Sequence, residues 1–170
     1  MRQIICFHNP DEENGYLSNW YLSDFEMDGR SFSSMEQYMM YKKAELFNDK
    51  TIANEIMNTD NVGKIKMFGR SVKNYEENLW NGVRQIIVYE GLIAKFEQNE
   101  VLLQKLLDTE TAVLAECAVQ DCIWGIGLSM KDERRFNIQE WKGKNLLGYS
   151  LMEARRKSDI KHRKYQNTAD

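Results

Sequence analysis

The sequence predicts an α+β fold: one mostly helical domain with a small sheet drawn mainly from its N-terminus. Several segments between residues 33 and 107 carry apolar side chains at helical spacing, whereas residues 3–9 and 111–119 have the composition of strands. A single proline, Pro10, and the absence of low-complexity sequence leave no candidate linker between domains. At 170 residues, the chain is long enough for one substantial core.

The N-terminal elements are predicted to be a strand, a hairpin and a helix. The β-branched run at residues 3–9, QIICFHN, indicates a buried strand. Asp28-Gly29 separates two short alternating runs, a pattern typical of a β-hairpin. Residues 33–47 then predict a helix with Ser33 or Ser34 as its N-cap.

The centre of the chain is predicted to be helical. Residues 48–70 indicate two short helices, broken around Thr59-Asp60 and ending near Gly69. Residues 74–99 form the longest periodic segment and predict a helix. Gly91 within it lowers helix propensity but does not prevent the helix. The apolar residues that follow helical spacing there are Leu79, Val83, Ile86, Ile87, Leu92 and Phe96.

The C-terminal third adds two helices and one strand. A short helix is predicted after Asn99 as its N-cap, and residues 111–119 alternate as a strand does. A last helix is expected at residues 145–157. The domain is therefore predicted to span residues 1–157, with a polar tail at residues 158–170.

Composition narrows the class of protein. Hydrophobic residues at 42% and charged residues at 29% are ordinary for a globular protein, and no apolar run approaches the roughly 20 residues that cross a bilayer. Three cysteines (Cys6, Cys117 and Cys122) are an odd number, which argues against a disulfide framework and fits a reducing compartment. We therefore expect a cytoplasmic protein.

Charge gives no general attraction to nucleic acid, because the net charge is −3. Basic residues do cluster between Arg155 and Lys164. A solvated helix end and polar tail explain that cluster better than a phosphate-contacting tail does, although both interpretations stay open.

Metal and nucleophile chemistry have little support in the sequence. His8 and His162 are the only histidines, and no second Cys/His pair follows Cys117 and Cys122 at zinc-like spacing. A glycine-rich phosphate loop is missing too, since Gly125-Ile126-Gly127 is a weak match. We expect neither a metal nor a cofactor.

A carboxylate and an amine remain as candidate catalytic groups. Glu36 and Lys43 are seven residues apart, so on a helix they lie on nearly one face, roughly 10 Å apart along the axis, with Met40 between them. A partly desolvated lysine there could act as a nucleophile, and the glutamate could activate water or stabilise an oxocarbenium-like cation. Alternatively, both are solvent-facing charges of an amphipathic helix.

A second candidate group follows the predicted strand at 111–119. Trp124 could stack on a base, and Asp121 could bind a ribose hydroxyl or position water. Gly125 would let the backbone approach a ligand closely. A core tryptophan with a capping aspartate explains the same residues equally well.

Arginines form a third candidate group. Trp80 and Arg84 are one turn apart on the longest predicted helix, and Arg70 follows a helix-ending glycine. Guanidinium groups at such places suit bidentate phosphate binding, while structural salt bridges are the alternative.

Taken together, these pieces resemble the NADAR (YbiA-like) family over nearly the whole chain, from about Ile4 to Lys157. Each piece is weak alone, and their order makes the resemblance specific. In chain order they are YLSNW, DGRSFSSMEQYMMYKKA, Gly69-Arg70, W-x-x-x-R at Trp80 and Arg84, AKFEQN, LLDT, AE with D-x-x-WGIG, and GKNLLG-x-x-LMEAR.

The resemblance implies a small, metal-independent N-glycosidase. It implies two substrate classes: ADP-ribose attached to guanine in nucleic acid, and phosphoribosylamino-pyrimidine intermediates of riboflavin synthesis. By resemblance, Glu36 and Lys43 match the glutamate and lysine of the helical motif, and Asp121 and Trp124 match the D-x-x-WG motif. Catalysis is then expected from Glu36, Lys43 and Asp121.

Substrate contacts are expected from a wider set, in which the arginines and Asn19 would reach phosphate and ribose. That set is Asn19, Arg70, Trp80, Arg84, Trp124 and Gly125. We expect ring opening at the anomeric carbon, attack by Lys43 to give a Schiff base, and release of the sugar by water. Lys42 points well away from Glu36 on a helix, which favours Lys43.

Two departures from the family pattern favour the ADP-ribosyl branch. Gln37 stands where many relatives have histidine, and residues 128–141 intervene between the WG-x-G and G-x-N-x-LG motifs. The leading hypothesis is an N-glycosidase of ADP-ribosylated guanine, with a cognate ADP-ribosyltransferase toxin encoded nearby as an expected partner. The riboflavin-intermediate glycosidase is the runner-up, and a non-catalytic module that binds ADP-ribose or NAD is the alternative outside the enzymes.

Overall fold

The computed structural model describes residues 2–166, with side chains described through Lys161. The predicted α+β class, mostly helical with little sheet, is confirmed. The elements in chain order are β1 (Ile4–Phe7), β2 (Leu22–Met27), β3 (Arg30–Ser34), α1 (Met35–Leu46), α2 (Lys50–Met57), α3 (Val62–Arg70), α4 (Glu77–Glu97), α5 (Glu100–Leu107), β4 (Val113–Glu116) and α6 (Leu146–Gln166).

The chain forms two compact units. The central unit is Asn19–Gln98, and the terminal unit is Met1–Ser18 together with Asn99–Asp170. Strands β2 and β3 lie in the central unit and β1 and β4 in the terminal unit, so the small sheet is really two two-stranded sheets.

The predicted hairpin at Asp28-Gly29 is confirmed. Both residues have positive φ, 54° and 73°, as the turn between right-twisted strands requires. Phe25 and Phe32 are paired across β2 and β3, and both rings pack against Tyr38 of α1 at 5.9 and 5.2 Å between centroids. The hairpin thereby fixes where α1 begins.

The start of α1 is held by its cap and by one amide side chain. Ser34, rather than Ser33, is the N-cap, and its hydroxyl accepts a hydrogen bond from the Gln37 backbone N–H. The Gln37 side chain is buried and donates to the carbonyls of Ile56 and Thr59, at 3.1 and 2.8 Å. Gln37 therefore ties the first turn of α1 to the segment between α2 and α3.

The predicted break between α2 and α3 is also confirmed. Asp49 and Asn61 cap the two helices by accepting from Ile52 N and Lys64 N, at 3.1 and 2.9 Å. Helix α3 ends at Arg70, one residue beyond the expected glycine. Short polar caps at both starts explain why two helices form here in place of one.

The long helix α4 is confirmed, but the apolar stripe chosen for its buried face is partly wrong. Leu79 and Ile86 are 44% and 61% exposed. The side chains that α4 buries are Trp80, Arg84, Val88, Leu92, Lys95 and Phe96. The buried row contains an arginine and a lysine, so a pattern based on hydrophobicity does not identify it.

Glycines on α4 provide a matched test of this packing. A β-carbon at Gly91 would lie 2.5 Å from two ring carbons of Tyr38, whereas one at Gly82 would meet nothing within 4 Å. We expect Gly91→Ala to lower the free energy of unfolding by about 1–3 kcal/mol through overpacking. Gly82→Ala should raise it by about 0.5–1 kcal/mol, because alanine is the better helix former. Urea unfolding measures both, and equal effects would contradict the packing described.

The terminal unit is built on the parallel pair β1–β4, with Cys6 opposite Ala115. The predicted strand at 111–119 is shorter than expected, since β4 covers only Val113–Glu116. In α5, Asn99 takes the N-cap position without a capping hydrogen bond from its side chain.

Helix α6 extends further than predicted, to Gln166, so much of the expected polar tail is helical. The side chains of Arg163 and Lys164, members of the basic cluster, lie outside the described part. Asn145 fastens the start of α6 to β4, because its Oδ1 accepts from Glu116 N and its Nδ2 donates to Leu114 O, at 3.1 and 2.8 Å. None of the helices in the described part could cross a membrane, since each is too short or too polar.

Candidate active site

One face of α1 carries the predicted acid and amine. Glu36 is only 4% exposed, Met40 is buried, and Lys43 is half-buried. Phe47, just past the end of the helix, continues the buried row. The alternative that Glu36 and Lys43 are solvent-facing charges is therefore wrong.

The amine of Lys43 is held by a carbonyl and by aromatic rings. Its Nζ donates to the Gly69 carbonyl at 2.8 Å, and lies 4.5 Å from the Tyr75 ring centroid and 5.8 Å from that of Trp80. No carboxylate among the described residues forms a salt bridge with it. Burial, and secondly the positive charge of Arg70, lower the pKa of Lys43 below the usual lysine value.

The neighbouring Lys42 has the opposite environment. Its Nζ lies 3.0 Å from a Glu45 oxygen and 3.6 Å from an Asp28 oxygen. Burial alone would lower the pKa of Lys42, but these carboxylates outweigh it and raise the pKa. Lys42 is partly buried like Lys43, but its charge is paired with two carboxylates, whereas that of Lys43 has no such partner in the described part of the chain.

Close packing of α3 on α1 places the carbonyl that holds Lys43. A β-carbon at Gly69 would collide with the sulfur of Met40 and lie 2.7 Å from its Cγ. A glycine at this position therefore allows the two helices to approach, and its carbonyl reaches Lys43 as a result.

Asn19 lies at the other end of the α1 face. Its carbonyl accepts a hydrogen bond from Glu36 N at 2.9 Å, and its side chain is 95% buried. The side-chain Oδ1 is buried and accepts no hydrogen bond from the described residues. A buried acceptor without a hydrogen bond costs free energy. A hydrogen-bond donor from a ligand, such as a ribose hydroxyl, would remove that cost.

Trp80 and Arg84 both belong to the buried row of α4, at 6% and 7% exposure. The Trp80 ring lies beside the Lys43 amine, with its centroid 5.8 Å from Nζ. Arg70 is exposed at the end of α3 and acts on Lys43 through its charge.

The sequence arguments missed three residues around this face. Tyr75 covers Lys43 and also packs against Phe47, at 5.3 Å between centroids. Trp20 follows Asn19, and Lys66 of α3 places its Nζ 5.5 Å from the Trp20 ring centroid. Trp20 could have been found through the YLSNW motif, whereas the loop that holds Tyr75 carries no local signal.

The lowered pKa of Lys43 makes a prediction about pH. Neutralising Arg70 in Arg70→Gln removes a repulsion that disfavours the ammonium form, so the pKa of Lys43 should rise. If the neutral amine is the reactive form, the ascending limb of the kcat/KM profile should move to higher pH. Arg70→Lys keeps the charge and should leave the limb in place. A shift to lower pH in Arg70→Gln would contradict this account.

The terminal unit holds the second predicted group. Oδ1 of Asp121 accepts from the backbone N–H groups of Ile123 and Trp124, at 2.9 and 2.8 Å. That oxygen therefore has the capping role that the sequence left open. Oδ2 makes no hydrogen bond to the described residues, so it can serve a ligand or water. A β-carbon at Gly125 would lie 2.8 Å from the Glu116 carbonyl, so close backbone packing alone explains this glycine.

The loop that carries Asp121 and Trp124 is rigidly held. It is paired along its length with the segment before and at the start of α6. The bonds are Lys144 N to Cys122 O at 2.8 Å, Leu146 N to Ile123 O at 3.1 Å and Leu147 N to Trp124 O at 3.2 Å. A loop fixed in this way presents its side chains in one arrangement.

The central unit thus groups the predicted residues Asn19, Glu36, Lys43, Arg70, Trp80 and Arg84, and the terminal unit groups Asp121, Trp124 and Gly125. Among the described side chains, no group of three or more His, Cys, Asp or Glu is arranged to hold a metal ion. The α1 face itself carries a buried carboxylate and a half-buried amine.

The chain is similar in sequence and in fold to several known proteins. N-glycosidase R617 of Acanthamoeba polyphaga mimivirus is 36% identical over 161 residues, covering 90% of this chain and 95% of that protein. N-glycosidase YbiA of Escherichia coli is 31% identical over 152 residues, covering 89% and 86%. The NMR structure of the E. coli protein YbiA matches with a TM-score of 0.79 at 30% identity, covering 95% of this chain and 88% of that one.

A further relative, the riboflavin biosynthesis protein VVA0006 of Vibrio vulnificus, is 27% identical over 91% of this chain, which covers 38% of that longer protein. The model of the NADAR domain matches residues 6–158. A match over so much of the sequence, with relatives above 30% identity along nearly their whole length, shows that the chain belongs to the NADAR domain family.

Proposed function

We propose that this protein removes ADP-ribose from ADP-ribosylated guanine in nucleic acid, with Lys43 as nucleophile and Glu36 as acid–base group. Family membership and relatives that are N-glycosidases make the chain a hydrolase of N-glycosyl bonds. The choice of substrate and the roles of individual residues are the proposed part. Action in the cytoplasm is proposed as well, on the cysteine usage of the sequence.

One observation carries the mechanism. Lys43 is half-buried, has no carboxylate partner among the described residues, and shares a face of α1 with the buried Glu36. Burial and Arg70 both favour the neutral amine, which is the form that attacks carbon. A structural lysine would gain more from a carboxylate partner of the kind Lys42 has.

The first chemical step breaks the ring of the ribose. The bond from the anomeric carbon to the ring oxygen opens, the oxygen takes a proton from Glu36, and the carbon stays bound to the base nitrogen as an iminium. The neutral amine of Lys43 then adds to that carbon. A proton passes to the base nitrogen, and its bond to the carbon breaks, so the base leaves as an amine and the sugar stays on Lys43 as a Schiff base.

Water completes the reaction. Glu36, now a carboxylate, takes a proton from water as the water oxygen adds to the Schiff-base carbon. The carbon–nitrogen bond to Lys43 breaks, the amine is regenerated, and the aldehyde sugar leaves and closes its ring. The net change is one water consumed, one C–N bond broken and one free base formed.

The remaining predicted residues serve binding in this proposal. Asn19 offers an unsatisfied buried oxygen to a ribose hydroxyl, and Arg70 offers an exposed guanidinium to phosphate. Trp80 shapes the aromatic wall beside the amine. Arg84, which is buried in α4, is assigned to phosphate as well.

In the terminal unit, Oδ2 of Asp121 is assigned to water or a ribose hydroxyl, and Trp124 is assigned to base stacking. Both lie on the loop fixed against the start of α6. Gly125 is assigned to close backbone approach, the weakest of these roles, because packing against Glu116 already accounts for it.

Two features support the ADP-ribosyl substrate. Gln37 is a buried amide that accepts from Ser33 N and donates to the carbonyls of Ile56 and Thr59, and it supplies no acid–base group at the position where the family pattern has histidine. Residues 128–141 add two 3₁₀ turns, Glu133–Phe136 and Ile138–Glu140, that carry Arg134 and Arg135. Arg134 and Arg135 are paired with Asp132 and Glu133 of the same segment, so the segment supports the ADP-ribosyl substrate as a departure from the pattern of riboflavin-type members and not through net positive charge.

The riboflavin-intermediate glycosidase is the second candidate. Its support is the relatedness to the Vibrio riboflavin biosynthesis protein, which extends over 91% of this chain. A phosphoribosylamino-pyrimidine offers the same C–N bond to Glu36 and Lys43, so the same mechanism would serve both substrates.

The two candidates are separated by offering both substrates to the purified protein. Guanine-ADP-ribosylated DNA and a phosphoribosylamino-pyrimidine are incubated in parallel, and released sugar is followed by mass spectrometry. We expect release of ADP-ribose from the DNA, with kcat/KM at least about tenfold above that for the pyrimidine compound. Cleavage of the pyrimidine compound alone would replace the proposal by its alternative.

A further inference from the structure

The terminal unit buries two cysteines next to each other at one end of its sheet. Cys6 of β1 is aligned with Ala115 of β4, and Cys117 is the second residue after Ala115. Side chains alternate along a strand, so Cys6, Ala115 and Cys117 lie on the same face of the parallel pair. Cys117 N donates to Phe7 O at 2.8 Å, which continues the strand pairing by one step. Cys6 and Cys117 are therefore diagonal neighbours on adjacent strands.

The two thiols contact each other inside an apolar cluster. The other buried members of that cluster are Ala115, Ile126 and Leu128. The Cys117 thiol donates a hydrogen bond to the Cys6 sulfur. Cys6 is 9% exposed and Cys117 only 1%, so Cys6 is the one of the two that a small molecule from solvent can reach.

A guanidinium lies beside Cys6. Arg135, in the 3₁₀ turn Glu133–Phe136, acts on Cys6 through its charge and a hydrogen bond. The hydrogen bond from Cys117 has the largest effect and, together with Arg135, lowers the pKa of Cys6, although burial raises it. The same hydrogen bond, and burial, raise the pKa of Cys117. Of the two thiols, Cys6 therefore ionises first, and the thiolate is the nucleophilic form.

Arg135 keeps one donor that the protein does not use. Its Nη1 donates to the Asp132 carbonyl at 3.2 Å and lies 3.5 Å from a Glu133 oxygen. Its Nε is buried and has no hydrogen-bond partner among the residues that the structure describes. A buried donor without an acceptor costs free energy, and an oxygen atom brought to Cys6 by a reactant would remove that cost.

We propose that Cys6 and Cys117 form an oxidation site for hydroperoxides, in which Cys6 attacks the peroxide and Cys117 then closes a reversible disulfide. The charge and the spare donor of Arg135 bind the peroxide oxygens. None of these three residues takes part in the N-glycosidase reaction, so the site is independent of that activity.

The chemistry proceeds in two steps. The Cys6 thiolate sulfur attacks one peroxide oxygen, the O–O bond breaks, and the second oxygen leaves as hydroxide and takes up a proton. Cys6 is then a sulfenic acid. The Cys117 sulfur attacks the Cys6 sulfur, the S–O bond breaks, and hydroxide leaves with the proton of Cys117 as water. Two thiols and one hydrogen peroxide thus become one disulfide and two waters, with two electrons passing to the peroxide.

The position of Cys117 allows the disulfide to form. Strand β4 ends at Glu116, so Cys117 lies just beyond the regular pairing with β1. A small shift of the backbone there breaks fewer hydrogen bonds than a shift within the strand. In a reducing compartment, which the cysteine usage of the sequence predicts, such a disulfide is transient and reports oxidation.

The test is oxidation of the whole protein by hydrogen peroxide, followed by alkylation of the remaining thiols and peptide mass spectrometry. We expect a cross-linked peptide pair containing Cys6 and Cys117, formed at least about tenfold faster than Cys122 is oxidised, because Cys122 is exposed but lies outside this cluster. Dithiothreitol should reverse the cross-link. Oxidation that begins at Cys122, or oxidised Cys6 without a bond to Cys117, would overturn the proposal. This measurement needs no substitution, so it does not depend on the folding of a variant.

Variants separate the roles of the three residues. Cys117→Ala should leave Cys6 as a sulfenic acid that dimedone traps, and Cys6→Ala should leave Cys117 reduced. Arg135→Met should slow cross-linking by about tenfold or more, and Arg135→Lys, which keeps the charge, should recover part of the rate. Arg134→Met is the matched control, because Arg134 is 50% exposed and paired with Asp132; it should change the rate by less than about twofold. A wild-type rate in Arg135→Met, or oxidation of Cys117 at the wild-type rate in Cys6→Ala, would contradict the assignment.

Discussion

Lys43→Ala is expected to lower kcat by at least about 10³-fold, because it removes the nucleophile that forms the covalent intermediate. Binding of ADP-ribose should persist, since Arg70 and Asn19, to which we assign the phosphate and ribose contacts, are unchanged. Borohydride added during turnover should fix the sugar to the wild-type peptide that contains Lys43 and leave the variant without an adduct. Peptide mass spectrometry and single-turnover kinetics measure both effects.

The matched control is Lys42→Ala. This lysine is adjacent in sequence but paired with Glu45 and Asp28, so its removal should change kcat by less than about twofold and leave the adduct in place. Wild-type turnover in Lys43→Ala would rule out the Schiff base. Binding without adduct or sugar release in the wild type would instead identify a non-catalytic module.

Glu36→Gln is expected to lower kcat by about 10²- to 10⁴-fold, the usual contribution of a general acid–base group. The amide has the size of the carboxyl, so the packing of this buried side chain should survive, and the thermal unfolding temperature reports whether it does. Quenched-reaction kinetics on the DNA substrate measures kcat of the variant and of the wild type.

Glu45→Gln is the control for this substitution. Glu45 lies on the same helix and is exposed. It accepts a hydrogen bond from the Tyr41 hydroxyl at 2.9 Å, on a side of the helix that does not carry Glu36 and Lys43. It should retain wild-type kcat within about twofold. A Glu36→Gln enzyme that keeps more than about a tenth of wild-type kcat, while folded, would remove Glu36 from the mechanism.

Local signals in the sequence were sufficient for most elements of the fold. The Asp28-Gly29 turn demands positive φ at two residues, and the caps at Ser34 and Asn61 satisfy helix N–H groups within three residues. These interactions involve near neighbours in the chain, so the residues themselves specify them.

The predictions were wrong where the structure depends on residues distant in the sequence. Strand β4 stops at Glu116 because β1 pairs with it only over Ile4–Phe7, and the apolar composition of residues 111–119 does not reveal that limit. On α4, hydrophobic spacing permitted two rows, and the row containing Arg84 and Lys95 became the buried one. A hydrophobic pattern cannot predict which cations are buried, because the free-energy cost of burying a charge depends on the groups that surround it.

The sequence by itself determined the helical spacing that puts Glu36, Met40 and Lys43 on one face of α1, since a helix of 3.6 residues per turn admits no other arrangement. Only the tertiary structure decided that this face is buried, that Gly69 and Tyr75 hold the amine of Lys43, and that Lys42 is neutralised instead. The reason is physical: desolvation and charge pairing depend on atoms that folding brings from elsewhere in the chain, and these set the reactivity of a lysine.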